Sequence, residues 1–193
     1  MPTVLDVEKQ QFEFGDSWTV AFKYDDSNYY RRKRGPQALQ GVIEGKSQST
    51  RAMDVVAFHS GAGLLLLEAK DFRGHRIENQ DRITTGELVL EVALKARDTV
   101  AGLVGAARCG ETEFNSTALF QALKKAKSVS VVLWVEDDLQ RDERRARQQL
   151  STLSGLLKER LSWLNVRAFA HSTQGQAEIP DLVVRNLPGA GQS

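Results

Sequence analysis

Residues 64–70 read Leu-Leu-Leu-Leu-Glu-Ala-Lys. Successive residues of a strand point to opposite faces, so four leucines in a row make both faces apolar. Such a strand belongs inside a sheet that is covered on both sides. Residues 129–135, VSVVLWV, have the same texture. Two buried strands with helical pattern between them predict an α/β fold: one domain with a central mixed β-sheet flanked by helices, and an N-terminal β-hairpin. With 193 residues the chain is long enough for one domain with a proper core. The expected domain spans 1–185, followed by a loose tail over 186–193.

The rest of the chain reads as follows. Phe12, Phe14, Trp18, Val20, Phe22 and Tyr24 alternate with other residues, which predicts a strand pair turning at Gly15–Ser17. Residues 25–51 are polar and rich in glycine, and read as a long loop with one short helical turn. Strands are expected at 52–58 and 64–72, joined by a turn at 59–63. Thr84 and Glu87 have capping-box spacing, which predicts a helix from 85 to about 108 with a stop at Gly110. Further helices are expected at 116–127 and 138–164, the last from the apolar stripe Ala146, Leu150, Leu153, Leu157, Leu161 and Leu164. Short strands should follow at 166–171 and 181–185.

The chemistry lies where apolar strand gives way to charge. Glu68 and Lys70 are two apart, so they share a face. If the hairpin turns about Gly61, residues whose numbers sum to 122 face each other, and Asp54 comes opposite Glu68. Directly opposed residues have Cβ atoms about 5 Å apart. Two carboxylates that close repel, and a cation between them relieves the repulsion. Mg²⁺ or Mn²⁺ suits the position, since Mg²⁺ takes one or two protein carboxylates and keeps several waters. A plain ion pair at a strand end explains the same residues without a metal.

Asp54, then Glu68-Ala69-Lys70 on the next strand, then a helix, resembles the PD-(D/E)xK nuclease superfamily. Within it, residues 53–74, MDVVAFHSGAGLLLLEAKDFRG, are similar to the core of nuclease-related (NERD-like) domains. The matching positions are Asp54, Gly63, Glu68, Lys70, Asp71, Phe72 and Gly74. The resemblance implies a restriction-endonuclease-like core and metal-dependent cleavage of phosphodiester bonds, with DNA as the expected substrate. It implies that Asp54 and Glu68 hold the metal, that the Ala69 backbone carbonyl assists, and that Lys70 serves the attacking water. Met53 stands where the superfamily's proline would. The acidic N-terminal helix of many members is missing, which leaves Glu44 as the nearest extra acidic candidate. The helix over 85–108 lacks the glutamine-x-x-x-tyrosine motif of many exonuclease branches. Its Glu91, Lys95 and Asp98 are spaced like a solvated stripe.

The net charge is only +1, so attraction to nucleic acid has to come from a local patch. YYRRKRG, residues 29–35, supplies one: Arg31, Arg32, Lys33 and Arg34, with Lys46 and Arg51 further along and Lys95 and Arg97 on the helix as further contacts. Lys and Arg neutralise phosphates and aromatic rings stack on unpaired bases. A solvated loop has the same composition. With three histidines and one cysteine, a zinc site is not expected. No secretory leader and no membrane-spanning run is evident, so the expected location is cytoplasmic. The expected partners are nucleic acid, and protein subunits or a second copy. The contrasting reading is a non-catalytic scaffold subunit that keeps the nuclease fold.

Overall fold

The computed structural model describes residues 1–125, 128–138, 142–174 and 179–188. The elements run β1 (Thr3–Val7), β2 (Gln10–Phe14), β3 (Trp18–Lys23), α1 (Asn28–Arg31), β4 (Gln40–Ile43), β5 (Lys46–Ser49), β6 (Val55–His59), β7 (Gly63–Asp71), α2 (Arg76–Thr84), α3 (Glu87–Arg108), α4 (Ser116–Leu123), β8 (Val129–Glu136), α5 (Glu143–Arg160), β9 (Arg167–His171) and β10 (Leu182–Asn186). The central sheet has the order β3-β6-β7-β8-β9. Its first three strands are antiparallel and the last two pairings parallel, so the expected mixed sheet is present.

The leucine run explains the layering. Leu64 and Leu66 point into a core shared with α3, α4 and α5, whereas Leu65, Leu67 and Ala69 point to the other face. That second face is covered by a three-stranded sheet, β1-β2-β10, not by helices. Phe12 and Phe14 of β2 are fully buried against it, and the Phe12 ring meets Trp134 edge-on at 5.6 Å.

Several sequence expectations need correction here. The alternation over 12–24 marks two real strands, but they do not pair with each other. β2 pairs with β1 and β10, and β3 pairs with β6. Alternation reports a half-buried face and not the partner. The N-terminal hairpin is β1–β2, turning at residues 8–9. The loop over 25–51 contains α1, a 3₁₀ turn over Pro36–Ala38 and the β4–β5 hairpin. The helix α2 was not expected, and Thr84 closes it: its hydroxyl donates to the Gln80 and Asp81 carbonyls. The residue before α3 is Gly86, so no capping box forms. α4 ends at Leu123, with 126 and 127 outside the described residues. The last long helix starts at Glu143, capped by the Asp142 side chain, and ends at Arg160; residues 139–141 lie outside the description. Asn186, first residue of the expected tail, still pairs with Gln10. The tail over 189–193 lies outside the described residues.

One packing detail yields a first test. α3 passes so close to Tyr24 that a Cβ on Gly102 would collide with the phenol oxygen. The Tyr24 hydroxyl is fully buried and has no hydrogen-bond partner among the described residues. A buried hydroxyl without a partner carries its desolvation cost uncompensated. Tyr24→Phe is therefore expected to stabilise the protein by about 1 kcal/mol, read as a higher urea midpoint with unchanged slope. A lower midpoint would show that the hydroxyl has a partner, such as an internal water.

Candidate functional site

β6 and β7 pair in the register expected: Val55↔Leu67, Val56↔Leu66, Ala57↔Leu65, Phe58↔Leu64 and His59↔Gly63 all sum to 122. The ladder ends at Val55. Beyond it, the backbone N–H of Ala69 is not taken by a β6 carbonyl. The Asp54 carboxylate accepts it instead, Oδ2 at 2.9 Å. This bond fixes the Asp54 carboxylate beside β7, on the side where Glu68 projects.

Glu68 is fully buried. One of its oxygens, Oε1, lies 2.8 Å from Lys70 Nζ and 2.5 Å from Lys95 Nζ. The other, Oε2, is buried without a hydrogen-bond partner among the described residues. Lys95 Nζ is also 3.6 Å from Asp54 Oδ1, so its ammonium lies between the two carboxylates. Glu91 completes the group: Oε1 is 3.5 Å from Lys70 Nζ, and Oε2 is 2.6 Å from an Arg82 nitrogen on α2. Lys70 and Lys95 close the site from solvent, each with side-chain exposure below one fifth.

The electrostatics follow from burial first. Desolvation, with Asp54 repulsion behind it, pushes Glu68 up to about 7, although Lys95 and Lys70 pull the other way. Burial works against the Lys70 ammonium, but Glu68, Glu91 and Asp54 outweigh it and hold Lys70 above the ordinary lysine range. Burial likewise opposes the Glu91 carboxylate, and Lys70, Lys95 and Arg82 outweigh it, so Glu91 stays below the usual range.

A further acid, Asp25, follows the end of β3. Its Oδ1 is buried and without a hydrogen-bond partner among the described residues. Burial raises the Asp25 carboxyl, with Asp54 and Asp26 adding to the rise. Sequence reasoning missed Asp25, which sits in an acidic pair just after a strand. It also took Glu91 and Lys95 for a solvated stripe, with Lys95 as a nucleic-acid contact, whereas the Lys95 ammonium is paired with Glu68 and Asp54. The signal was present: with Leu88 and Gly102 they fall at i, i+3, i+7 and i+14, along the face of α3 that carries Leu88, Val92 and Ala96 inward.

The other predicted residues are dispersed. Glu44 is exposed at the turn of the β4–β5 hairpin. Among the described residues no group of three or more His, Cys, Asp or Glu side chains gathers as a metal-holding set, so Glu44 does not join Asp54 and Glu68. Arg31 pairs with Asp26, and Arg32 lies 2.8 Å from Glu111 and over the Tyr29 ring. Both are occupied within the chain. Arg97 pairs with Asp98. Lys33, Arg34, Lys46 and Arg51 are exposed. Among the described residues no helix is long and apolar enough to cross a membrane.

The residues present suit a hard divalent cation. Asp54 and Glu68 already share a cation in Lys95, and Glu68 Oε2 lacks a hydrogen-bond partner among the described residues. An open groove of about 890 Å³ runs elsewhere, between β3 and residues 111–117, and its lining includes none of Asp54, Glu68 and Lys70. No protein-family model, curated protein or solved structure matches this chain.

Proposed function

We propose that this chain is a metal-dependent nuclease that hydrolyses phosphodiester bonds in DNA. The observation that carries the reading is the Asp54–Glu68 pair, two carboxylates that share one ammonium, with Glu68 Oε2 buried and without a hydrogen-bond partner among the described residues. Buried polar atoms in folded proteins almost always have partners, so this oxygen points to something polar that completes it. Asp54 and Glu68 would hold Mg²⁺ or Mn²⁺ with help from the Ala69 carbonyl. Bound there, the ion would acidify a water and polarise a phosphoryl oxygen.

The chain's own residues have definite parts. The Ala69 N–H keeps the Asp54 carboxylate turned toward the site. Lys70 stays protonated through neutral pH, because its environment raises its pKa. It therefore acts as a fixed positive charge that orients water and stabilises phosphate charge, not as a proton acceptor. Glu91 holds Lys70 in place from α3, and Arg82 holds Glu91.

One observation favours the second reading, a non-catalytic scaffold. Lys95 already pairs with both carboxylates, as in a buried ion-pair cluster. The deciding assay incubates purified protein with linear, circular and single-stranded DNA, in Mg²⁺, Mn²⁺ or chelator. Cleavage is expected with metal only, and Lys70→Ala should reduce it about a hundredfold in protein that still unfolds cooperatively. No cleavage by the unaltered protein with either metal would leave the scaffold reading.

A further inference from the structure

Resting on that reading, we propose that the β4–β5 hairpin is an arm that enters the major groove of duplex DNA and delivers it to the site. The hairpin has no visible reason to hold together alone. All eight residues of its strands are exposed. Isolated two-stranded hairpins are marginal in water, so one that projects with both faces bare is made to be covered. Its geometry is nonetheless well specified. Gln40↔Ser49, Gly41↔Gln48, Val42↔Ser47 and Ile43↔Lys46 pair in order, and Glu44 and Gly45 turn with both φ positive. That is the two-residue turn whose twist matches the strands, and Gly45 supplies its second left-handed position.

Charge identifies the partner. Residues 31–51 hold six of the 26 basic residues and one of the 25 acidic ones, a net +5 that leaves −4 for the rest of the chain. Arg31 and Arg32 are paired internally. Lys33, Arg34, Lys46 and Arg51 make no ion pair among the described residues. Bare cations beside a bare β-ribbon fit a polyanion.

Side-chain chemistry narrows it to a duplex read from its base edges. The ribbon presents Gln40 and Gln48, Ser47 and Ser49, Lys46, and the exposed Val42 and Ile43. Amides and hydroxyls hydrogen-bond base edges, and aliphatic groups contact the thymine methyl. The major groove of B-DNA admits a two-stranded ribbon, whereas that of duplex RNA is too deep and narrow.

The arm is also in the right place. Its base closes at the Thr50 N–H bond to the Leu39 carbonyl, and the Tyr30 hydroxyl ties Thr50 to the basic segment. The chain leaving the arm then runs along α3. The Arg51 N–H donates to Asp98 and the Met53 N–H to Thr99, one helical turn beyond Lys95. The next residue is Asp54. DNA gripped by the arm would lie at the mouth of the site.

The test measures binding of the full chain by fluorescence anisotropy in EDTA, with a short mixed-sequence DNA duplex, the matching RNA duplex and the single strand. In one variant Asn-Gly replaces residues 41–48 and joins Gln40 to Ser49, which already face each other. Others are Lys46→Ala and the double change Val42→Ser, Ile43→Ser. The shortened chain should melt as the unaltered protein does and bind duplex DNA at least tenfold more weakly. Lys46→Ala should lower the log–log salt slope by about 0.9. Equal affinity of the shortened chain for duplex DNA would overturn the proposal, as would equal hairpin-dependent binding of duplex RNA. So would a dimer that the shortening converts to monomer with DNA affinity intact, since the arm would then join copies of the chain. Hairpin-dependent DNA binding without metal-dependent cleavage would keep the arm and remove the nuclease. Cleavage and affinity that both survive the shortening would remove the arm alone.

Discussion

Glu68→Gln should stabilise the metal-free protein by about 3 kcal/mol at pH 8 and change its stability little at pH 4.5. Burial, with Asp54 repulsion behind it, pushes the Glu68 carboxyl from about 4.5 up to about 7. One unit is worth about 1.4 kcal/mol. The sign follows from proton uptake. Between those two values the folded state binds the proton and the unfolded state does not, so stability falls as pH rises through the window. Below about 4.5 the penalty is absent, and above about 7 it is complete. A protonated Glu68 faces the same two lysines as a glutamine does, so glutamine is a fair stand-in for the neutral state. Urea titrations in chelator at pH 4.5, 6 and 8 measure the difference between variant and parent. Taking that difference removes the opposite slope from Asp26, Asp71, Glu91, Glu111 and Asp181, whose carboxyls are held low. Mn²⁺ should stabilise the parent more at pH 8 than at pH 6, because proton and metal compete for one carboxylate. A Glu68→Gln protein that is less stable than its parent at pH 8 would show that the lysines outweigh burial, and the site would be a structural ion-pair cluster.

Leu66→Ala should cost about 4 kcal/mol, a large part of a typical domain's stability. Leu66 is fully buried at the centre of β7, opposite Val56 on one side and Val131 on the other, beneath α3. Strands fixed on both sides cannot close the cavity that the lost methyl groups leave. In a chain of this length the melting temperature should fall by about 10 °C. Leu90, on α3 and nearly half exposed, is the internal comparison, and Leu90→Ala should cost about 0.5 kcal/mol or less. Thermal melts of both variants decide it. Equal losses would mean that β7 is not the central strand.

The inner strands were legible because burial on both faces leaves no polar position, and the runs over 64–67 and 129–135 show that directly. The Asp54–Glu68 register was legible because a short turn about Gly61 fixes it. The outer three-stranded sheet was not, since half-buried alternation does not name a partner and β10 comes from the far end of the chain. The β4–β5 hairpin was hidden because it buries nothing and so has no hydrophobic pattern. In the site, the strand residues were readable and the contributions of Asp25, Glu91 and Lys95 were not. They depend on how α3 and the end of β3 pack onto the hairpin, which local spacing does not encode.

The outer sheet also sets the order of events when the chain folds. Phe14 pairs with Leu182 and Gln10 with Asn186, 168 and 176 positions away. The Trp18 indole donates to the carbonyls of Pro180 and Asp181. These are among the most non-local contacts a chain of this size can make, and closing such a loop is slow compared with forming helices or hairpins. During synthesis β1 and β2 emerge first and must wait for β10 before their sheet is complete. Until then Phe12 and Phe14 lack part of their cover and β2 has an open edge, the kind of edge on which chains aggregate. Refolding from urea should therefore end in a slow phase, seen in tryptophan fluorescence and lost in Trp18→Phe, after helical ellipticity has recovered.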